Sequence, residues 1–328
     1  MKRRTLLVSL AASALAPLPA FAQAPGKVWR VGFLSYRHVD FVDADYYYGP
    51  FTQGLRELGY VVGKNLVIEW RSAEGDASRL PELAAELVRL KVDVLATATT
   101  PPTLAAQKAT ATIPIVMVGV GDPVGNGLVK SLARPGGNST GLSNISVDLG
   151  PKLLEMIRSM VPKVTRVAVL VNPLNISLAS VLKNIQAAGQ KMDVKILPVE
   201  ASTPQEIAIA FDVMARQNAG ALIVPQEAFF TQQKNQIVEL AAKRRLPSIY
   251  GSGNYVESGG LMSYGSNTVD GFRRAATYVD KILKGANPGD LPVEQPTNFE
   301  LVLNMKTAKT LDIKVPQSIL IQATRVIE

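Results

Sequence analysis

The chain has 328 residues, of which 47% are hydrophobic, and its 35 lysines and arginines exceed its 27 aspartates and glutamates by a formal charge of +8. This length suits about two domains, and the hydrophobic content excludes a disordered chain. With no cysteine and one histidine, the sequence lacks disulfides, thiolate ligands and a two-histidine metal site. We therefore expect no metal and no cofactor. The positive charge is dispersed, so we expect no nucleic-acid partner.

The N-terminus has the three parts of a secretory signal peptide. Residues 2–4 are basic, residues 5–16 are mostly apolar, and residues 20–22 read AFA, which suits a cleavage site. The apolar stretch is shorter than the roughly 20 residues that span a bilayer, which disfavours a membrane anchor. We expect residues 1–22 to be removed after Ala22 and the mature chain to reach the periplasm, by general secretion or by twin-arginine export.

From residue 27 onward, short β-branched runs alternate with amphipathic helical patterns, which is typical of parallel α/β architecture. The first half contains RVGFLS, LVIEW, VDVLATAT and IPIVMVGVG, and the second half contains RVAVLVN, DVKILPVE, AGALIVPQ and LPSIY. The two sets match in order and in pattern, which favours two similar lobes over one long sheet. We predict an α/β fold of two doubly wound, Rossmann-like lobes. Near the C-terminus, NFELVLNM predicts an added strand.

Polar residues follow several of the predicted strands, where doubly wound sheets bind their ligands. In chain order these residues are Ser35, Tyr36, Thr97, Thr99, Asp122, Asn172, Gln226 and Glu227, and Gly121 of the glycine-rich turn joins them. Hydroxyl groups, amides and one or two carboxylates beside aromatic rings suit a zwitterion or a carboxylic acid with an apolar body. We therefore expect a small carboxylate-bearing ligand at these strand ends.

The glycine-rich stretch GVGDPVGNG after the fourth strand raises the possibility of a phosphate site. However, Val124 stands where the dinucleotide fingerprint has Gly or Ala, and no Lys-Ser/Thr pair completes a Walker loop. Asp122 would also repel a phosphate. Backbone amides at the start of a helix remain suited to a carboxylate. Whether Asp122 only caps that helix or also contacts a ligand stays open.

Sets of catalytic residues are sparse. The sequence contains no G-x-S-x-G elbow and no H-E-x-x-H motif. Glu227 and Asp122 are a conceivable acid/base pair, but nothing in the sequence fixes their separation. We therefore expect no catalytic residues and no enzyme, with an exported α/β hydrolase as the less favoured alternative.

Four longer motifs resemble a known family. They read GDPVGNGLVKSLARPGGNSTGLS, VESGGLMSYG, YVDKILKGANPGDLPVEQP and KTAKTLDIKVPQSIL. Together they resemble the ABC transporter substrate-binding proteins whose best-known members bind tryptophan and related aromatic amino acids, and the likeness extends from about Val28 to the C-terminus. The resemblance implies the type I periplasmic binding protein fold, in which three hinge crossings join two lobes around a cleft that closes on a solute.

By this likeness, the three crossings are Leu142–Ser146, Gly260–Tyr264 and the segment near Leu291–Gln295. The first lobe would then comprise 27–142 and 263–286, and the second lobe 143–262 and 287–328. Two residues of the crossings complete the expected ligand-binding set, Asn144 and Tyr264.

The resemblance implies that the protein captures a solute for an ABC importer and meets an inner-membrane permease transiently, as a monomer. The solute would be an aromatic or branched amino acid, or a related organic acid. Tryptophan-binding relatives carry an Asp-Asn pair where this chain has Gln226 and Glu227. Either Glu227 takes over the contact with the ligand's ammonium, or the ligand has no amine. A ligand sensor for a membrane receptor is the alternative function.

Overall fold

The computed structural model describes residues 27–37 and 41–328, with side chains from residue 48 onward in the second range. The predicted signal peptide and its cleavage site lie outside these residues. The strands are β1 Trp29–Ser35, β2 Leu66–Ser72, β3 Val94–Ala98, β4 Ile115–Val120, β5 Ser139–Ser143, β6 Arg166–Val171, β7 Lys195–Glu200, β8 Ala221–Val224, β9 Ser248–Tyr250, β10 Met262–Ser266, β11 Phe299–Asn304 and β12 Arg325–Ile327. The helices are α1 Phe41–Glu57, α2 Leu80–Arg89, α3 Thr100–Ala109, α4 Ser146–Met160, α5 Ser177–Met192, α6 Pro204–Arg216, α7 Ala228–Gln232, α8 Lys234–Lys243, α9 Asn254–Glu257, α10 Thr268–Leu283, α11 Met305–Thr310 and α12 Gln317–Gln322.

The strands form two sheets, one for each lobe. The first sheet has the order β2-β1-β3-β4-β5 and the second has the order β12-β11-β10-β9-β8-β6-β7. Pairing is parallel throughout, except between β10 and β11. The predicted fold of two doubly wound α/β lobes is confirmed, and NFELVLNM forms β11. The strand order reverses between β1 and β3 in the first sheet and between β6 and β8 in the second.

Burial on both faces of the sheets explains why the strands are continuous apolar runs rather than alternating ones. All residues of β3 and β8 are buried. Helix α10 covers one face of the first sheet and lies close against α1. A Cβ placed on Gly54 would lie 2.9 Å from the Cβ of Ala276, so glycine is required where α1 and α10 meet. Among the residues described, no helix combines the length and apolar character needed to cross a membrane.

The chain crosses between the lobes near the predicted segments, but two boundaries differ. The first crossing follows β5 and ends where α4 begins, at Ser146. The second comes after Ser266 rather than before residue 263, because β10 pairs with β9 and β11 of the second sheet. The third comes after Glu294, which forms a parallel bridge with Leu142 of the first lobe. Residues 287–294 therefore pack on the first lobe and not on the second.

Candidate functional site

The carboxyl ends of both sheets border one cavity of about 440 Å³ between the lobes. The crossing segments and the first turn of α10 complete its wall. Both reversals of strand order open onto this cavity, which is the position where doubly wound sheets bind ligands. Its volume falls within the range of roughly 300–1,000 Å³ that is typical of small-molecule sites.

Several of the residues predicted from the sequence come together around this cavity. They come from both lobes and from the first crossing, and they are Thr99, Gly121, Asn144, Gln226 and Glu227. A ligand held between them would touch both lobes at once. That these residues bind a ligand stays a prediction.

Three other predicted residues lie outside the cavity lining. The hydroxyl groups of Ser35 and Thr97 are buried and bond to neighbouring hydroxyl groups, and the ring of Tyr264 stacks on another ring with centroids 6.0 Å apart. Their partners are, in order, Tyr48, Thr103 and Phe299. A position at a strand end therefore does not by itself place a side chain in the site, because the side chain can pack within its own lobe.

Tyr36 and Asp122 border the junction of the lobes and do not line the cavity. The Tyr36 hydroxyl donates to the carbonyl oxygen of Gly75, and burial, together with the charge of Glu227, raises the pKa of this tyrosine. Asp122 accepts a hydrogen bond from the Gly125 amide at 2.9 Å. Its second oxygen accepts one from the hydroxyl of a serine in α5, Ser180, at 2.9 Å. The prediction of a helix after Asp122 is wrong, because residues 123–127 form turns and no helix lies between β4 and β5. Asp122 therefore closes a turn and also joins the lobes, a role that the sequence did not indicate.

Glu227 is a buried carboxylate in the cavity wall, with 5% of its surface exposed. One oxygen, Oε2, caps the first turn of α7 by accepting the Phe230 amide at 2.9 Å. The other, Oε1, accepts the side-chain amides of Asn172 at 3.4 Å and Asn175 at 3.5 Å. Burial raises the pKa of Glu227, and these hydrogen bonds from neutral donors oppose the shift. The site therefore holds a carboxylate that a ligand cation would stabilise.

Three polar atoms at the cavity are buried without a hydrogen-bond partner among the described residues. They are Thr99 Oγ1, Ser143 Oγ and Gln226 Oε1. Leaving such an atom unpaired costs roughly 1–3 kcal/mol. Because each atom is also shielded from the cavity, a ligand recovers that energy only when the side chain turns towards it. Ser143 was not among the predicted site residues, although its position in the first predicted crossing was an available signal.

The backbone at Thr99 is strained. Its φ of 74° and ψ of 175° lie in a region that is almost confined to glycine. The Thr99 amide donates to the Val118 carbonyl at 2.9 Å, and its carbonyl accepts the Thr103 hydroxyl at 2.8 Å. These bonds fix the strained residue at the edge of the cavity. Strain of this kind costs about 1–3 kcal/mol and is concentrated at functional sites.

The two lobes also bond directly to each other beside the cavity. Ser177 Oγ, in the first turn of α5, bonds to Thr100 Oγ1 at 2.8 Å, to the Gly121 carbonyl at 2.9 Å and to Asn126 Nδ2 at 2.9 Å. A hydroxyl can donate once and accept twice, so these three bonds use its full capacity. We call this contact the lobe latch, which comprises Ser177 and Ser180 of the second lobe with Thr100, Gly121, Asp122 and Asn126 of the first.

Metal ligation has no support in the part of the chain that the structure describes, which contains no group of three or more His, Cys, Asp or Glu residues able to hold an ion. The single histidine of the sequence, His38, lies outside the described residues, as do the side chains of Tyr46 and Tyr47, two residues of the tyrosine run in α1. The described residues therefore form a polar cleft with one buried carboxylate and several unpaired hydrogen-bonding atoms.

Comparison with known proteins identifies the family. The family model described as ABC transporter substrate binding protein matches residues 40–327. The chain belongs to this family. Substrate-binding proteins of this family bind small solutes and work with an ABC transporter, and they are not enzymes. The resemblance inferred from the four motifs is therefore confirmed.

Relatives of this substrate-binding protein include proteins of known ligand. The tyrosine-binding protein of Clostridioides difficile is 29% identical over 265 residues, covering 80% of this chain and 76% of the relative. A conserved domain protein from Vibrio cholerae has a TM-score of 0.86 at 29% identity, covering 92% of this chain and 100% of that one. The ABC domain of Streptococcus pneumoniae in complex with L-Trp has a TM-score of 0.84 at 27% identity, covering 91% and 99%.

A third solved structure is of a protein in a ligand-free, open form. This ligand-free, open substrate-binding protein with adhesive properties, from Clostridium difficile, has a TM-score of 0.65 at 25% identity, with 92% of this chain and 99% of that one covered. The present structure is thus more similar to the L-Trp complex than to the open form. The direct hydrogen bonds of the lobe latch fit this similarity.

Proposed function

We propose that this substrate-binding protein is the periplasmic component of an ABC importer and that it captures an amino acid in the interlobe cavity. The observation that carries this proposal is Glu227, a buried carboxylate in the cavity wall whose hydrogen bonds come from neutral donors. An ammonium group pairs with such a carboxylate, whereas an amine-free acid brings a second negative charge towards it. Of the two alternatives left by the sequence, we therefore favour the amine-bearing ligand.

The opposite wall supplies groups for the ligand's carboxylate. The hydroxyl groups of Thr99 and Ser143 belong to the first lobe and its crossing, and the oxygen of each is buried without a hydrogen-bond partner. In our proposal they donate to the carboxylate while Glu227 of the second lobe accepts from the ammonium. One zwitterion then bridges both lobes, so binding favours the closed arrangement. The names of the tyrosine-binding relative and of the L-Trp complex support an aromatic side chain on this ligand.

Closure would be the signal that the permease reads, and no chemical change in the solute is needed. The predicted signal peptide supports delivery to the periplasm, and we propose that the protein acts there as a monomer. An affinity in the micromolar range corresponds to about 8 kcal/mol. Two charge-assisted hydrogen bonds and one buried aromatic ring, which covers roughly 150–250 Å², supply energies of this order after ordering costs.

The proposal is tested by calorimetric titration of residues 23–328 with L-tyrosine and L-tryptophan and with their deaminated analogues. We expect Glu227→Gln to weaken amino-acid binding by about 10- to 150-fold, since hydrogen bonds to charged groups contribute roughly 1.5–3 kcal/mol. The same change should leave the binding of amine-free acids within about threefold. Equal losses for both ligand classes would contradict the role of Glu227.

Glu294 provides a matched control, because it is a second carboxylate at the cavity that is already paired, with Arg274. Glu294→Gln should not distinguish amino acids from amine-free acids. Recovery of the bound ligand unchanged after long incubation would separate binding from the hydrolase alternative, whereas conversion of the ligand would support an enzyme.

A further inference from the structure

One side chain contacts both the candidate ligand-binding carboxylate and the lobe latch. Asn175 lies between β6 and α5, with 6% of its surface exposed. Its Nδ2 donates to Glu227 Oε1 at 3.5 Å, and its Oδ1 accepts the backbone amide of Ser177 at 3.2 Å. The Ser177 amide requires an acceptor and the carboxylate requires a donor. The Asn175 side-chain amide must therefore direct its oxygen to Ser177 and its nitrogen to Glu227.

Asn172 is a natural comparison for Asn175. It also donates to Glu227 Oε1, at 3.4 Å, and its Oδ1 also accepts a backbone amide two residues ahead. That amide belongs to Leu174, which is outside the lobe latch. The two asparagines thus give Glu227 similar support, but only one of them continues to Ser177. Comparing variants of the two asparagines therefore distinguishes support of the Glu227 carboxylate from contact with the lobe latch.

We propose that Asn175 is a positioning residue that couples the Glu227 carboxylate to the hydrogen bonds of Ser177 between the lobes. This rests on the proposed role of Glu227 as the ammonium site. The bonds from Asn172 and Asn175 to Glu227 are longer than the usual 2.7–3.2 Å of an N–H···O bond. A ligand cation that fixes Glu227 also fixes Asn175, which holds the first turn of α5. Ser177 is then aligned with its partners in the first lobe.

Other charged groups near Glu227 define the conditions of the test. Tyr36 of the first lobe faces Glu227 closely enough for the two to interact electrostatically. The charged side chains that line the rest of the cavity are Arg37, Asp270, Arg273, Arg274 and Glu294. All measurements are therefore compared at one pH and one ionic strength, so that only the changes at Asn175, Glu227 and Ser177 differ between samples.

The absence of cysteine from the sequence permits site-specific labelling of both lobes. Glu82→Cys on α2 and Gln205→Cys on α6 place fluorophores at exposed positions of the first and second lobes. Energy transfer between them then reports the ratio of closed to open molecules in the ligand-free protein. The ratio is measured for Glu227→Gln, for Ser177→Ala and for the double variant. The same cycle is repeated with Asn175→Ser and with Asn172→Ser.

Serine at position 175 retains an acceptor for the amide two residues ahead but is too short to reach Glu227. With Asn175 present, we expect the double variant to deviate at least about threefold from the product of the single effects, as contacting residues do. With Asn175→Ser, the effects should multiply within about twofold, as independent sites do. With Asn172→Ser, the deviation should persist.

Equal deviations in the Asn175→Ser and Asn172→Ser proteins would overturn the proposal, and so would the lack of any deviation when both asparagines are present. The measurement needs no ligand, so it is separate from the test of the proposed function. If the coupling through Asn175 is found but L-tyrosine and L-tryptophan do not bind, the proposed ligand is wrong and the coupling stands.

Discussion

A single methyl group at Gly121 should disfavour the closed arrangement of the lobes. Gly121 follows β4 and meets the second lobe at the lobe latch, where its carbonyl accepts the Ser177 hydroxyl. A Cβ at this position would lie 2.9 Å from the Cβ of Ser177 and 3.1 Å from Ser146 Oγ. The Gly121 backbone is outside the left-handed region, so alanine introduces no strain within the first lobe. The clash therefore arises only when the lobes are together.

The size of the effect follows from these distances. Ordinary contacts of a Cβ begin near 3.4 Å, so Gly121→Ala forces the backbones on both sides of the latch apart. Overpacking of this kind costs about 1–3 kcal/mol. If the ligand requires the closed arrangement, that cost is taken from its binding energy, which weakens the affinity about 5- to 150-fold. Calorimetric titration with L-tyrosine or L-tryptophan measures the loss, and energy transfer between labelled lobes should show fewer closed molecules.

Gly49 in α1 is the matched control, because a Cβ there would meet no atom within 4 Å. Gly49→Ala should retain the affinity of the unmodified protein. If Gly121→Ala binds and closes like the unmodified protein, the closed arrangement does not use this contact and the reasoning fails.

Three further predictions concern energy stored at the site. Glu227→Gln should raise the free energy of unfolding of the ligand-free protein in urea at neutral pH, because burial, which raises the pKa of this carboxyl, makes its charged form costly; a less stable variant would contradict this. Amino-acid affinity should fall as the pH drops below the raised pKa of Glu227, because the carboxylate becomes protonated. The ligand-free protein should gain stability as the pH falls from that pKa towards the ordinary value of 4.5. Glu227→Gln should abolish both trends, and their persistence in this variant would assign them to another group. Thr99→Gly should raise the melting temperature by relieving the φ of 74° and should weaken ligand binding by removing a hydroxyl; a lower melting temperature would refute the strain.

Local patterns in the sequence were sufficient to predict the two lobes but not the boundaries between them. The β-branched runs and their repeated order predicted both sheets, because strands buried on both faces must be apolar throughout. The second crossing implied by the resemblance places most of β10 in the first lobe, and the five residues of this strand, MSYGS, have no distinctive local pattern that would correct it. Its place is decided by antiparallel pairing with β11, which lies more than 30 residues later and brings Tyr264 against Phe299.

Part of the candidate site was predictable from the strand topology. Thr99, Gln226 and Glu227 follow strands at the two reversals of strand order, where topology alone indicates a ligand site. Ser35 and Thr97 satisfy the same rule but bond within their own lobe, and only side-chain packing reveals that. The lobe latch was not predictable, because Ser177 meets Thr100 only when the positions of the two lobes are known.

A crystal structure of the protein with the amino acid that binds most tightly is the most direct test of the central claim. Our account predicts one ligand between the lobes, its ammonium nitrogen about 3 Å from a carboxylate oxygen of Glu227 and its carboxylate within reach of the Thr99 and Ser143 hydroxyl groups. A ligand bound outside the cleft, or an ammonium group directed away from Glu227, would contradict the account.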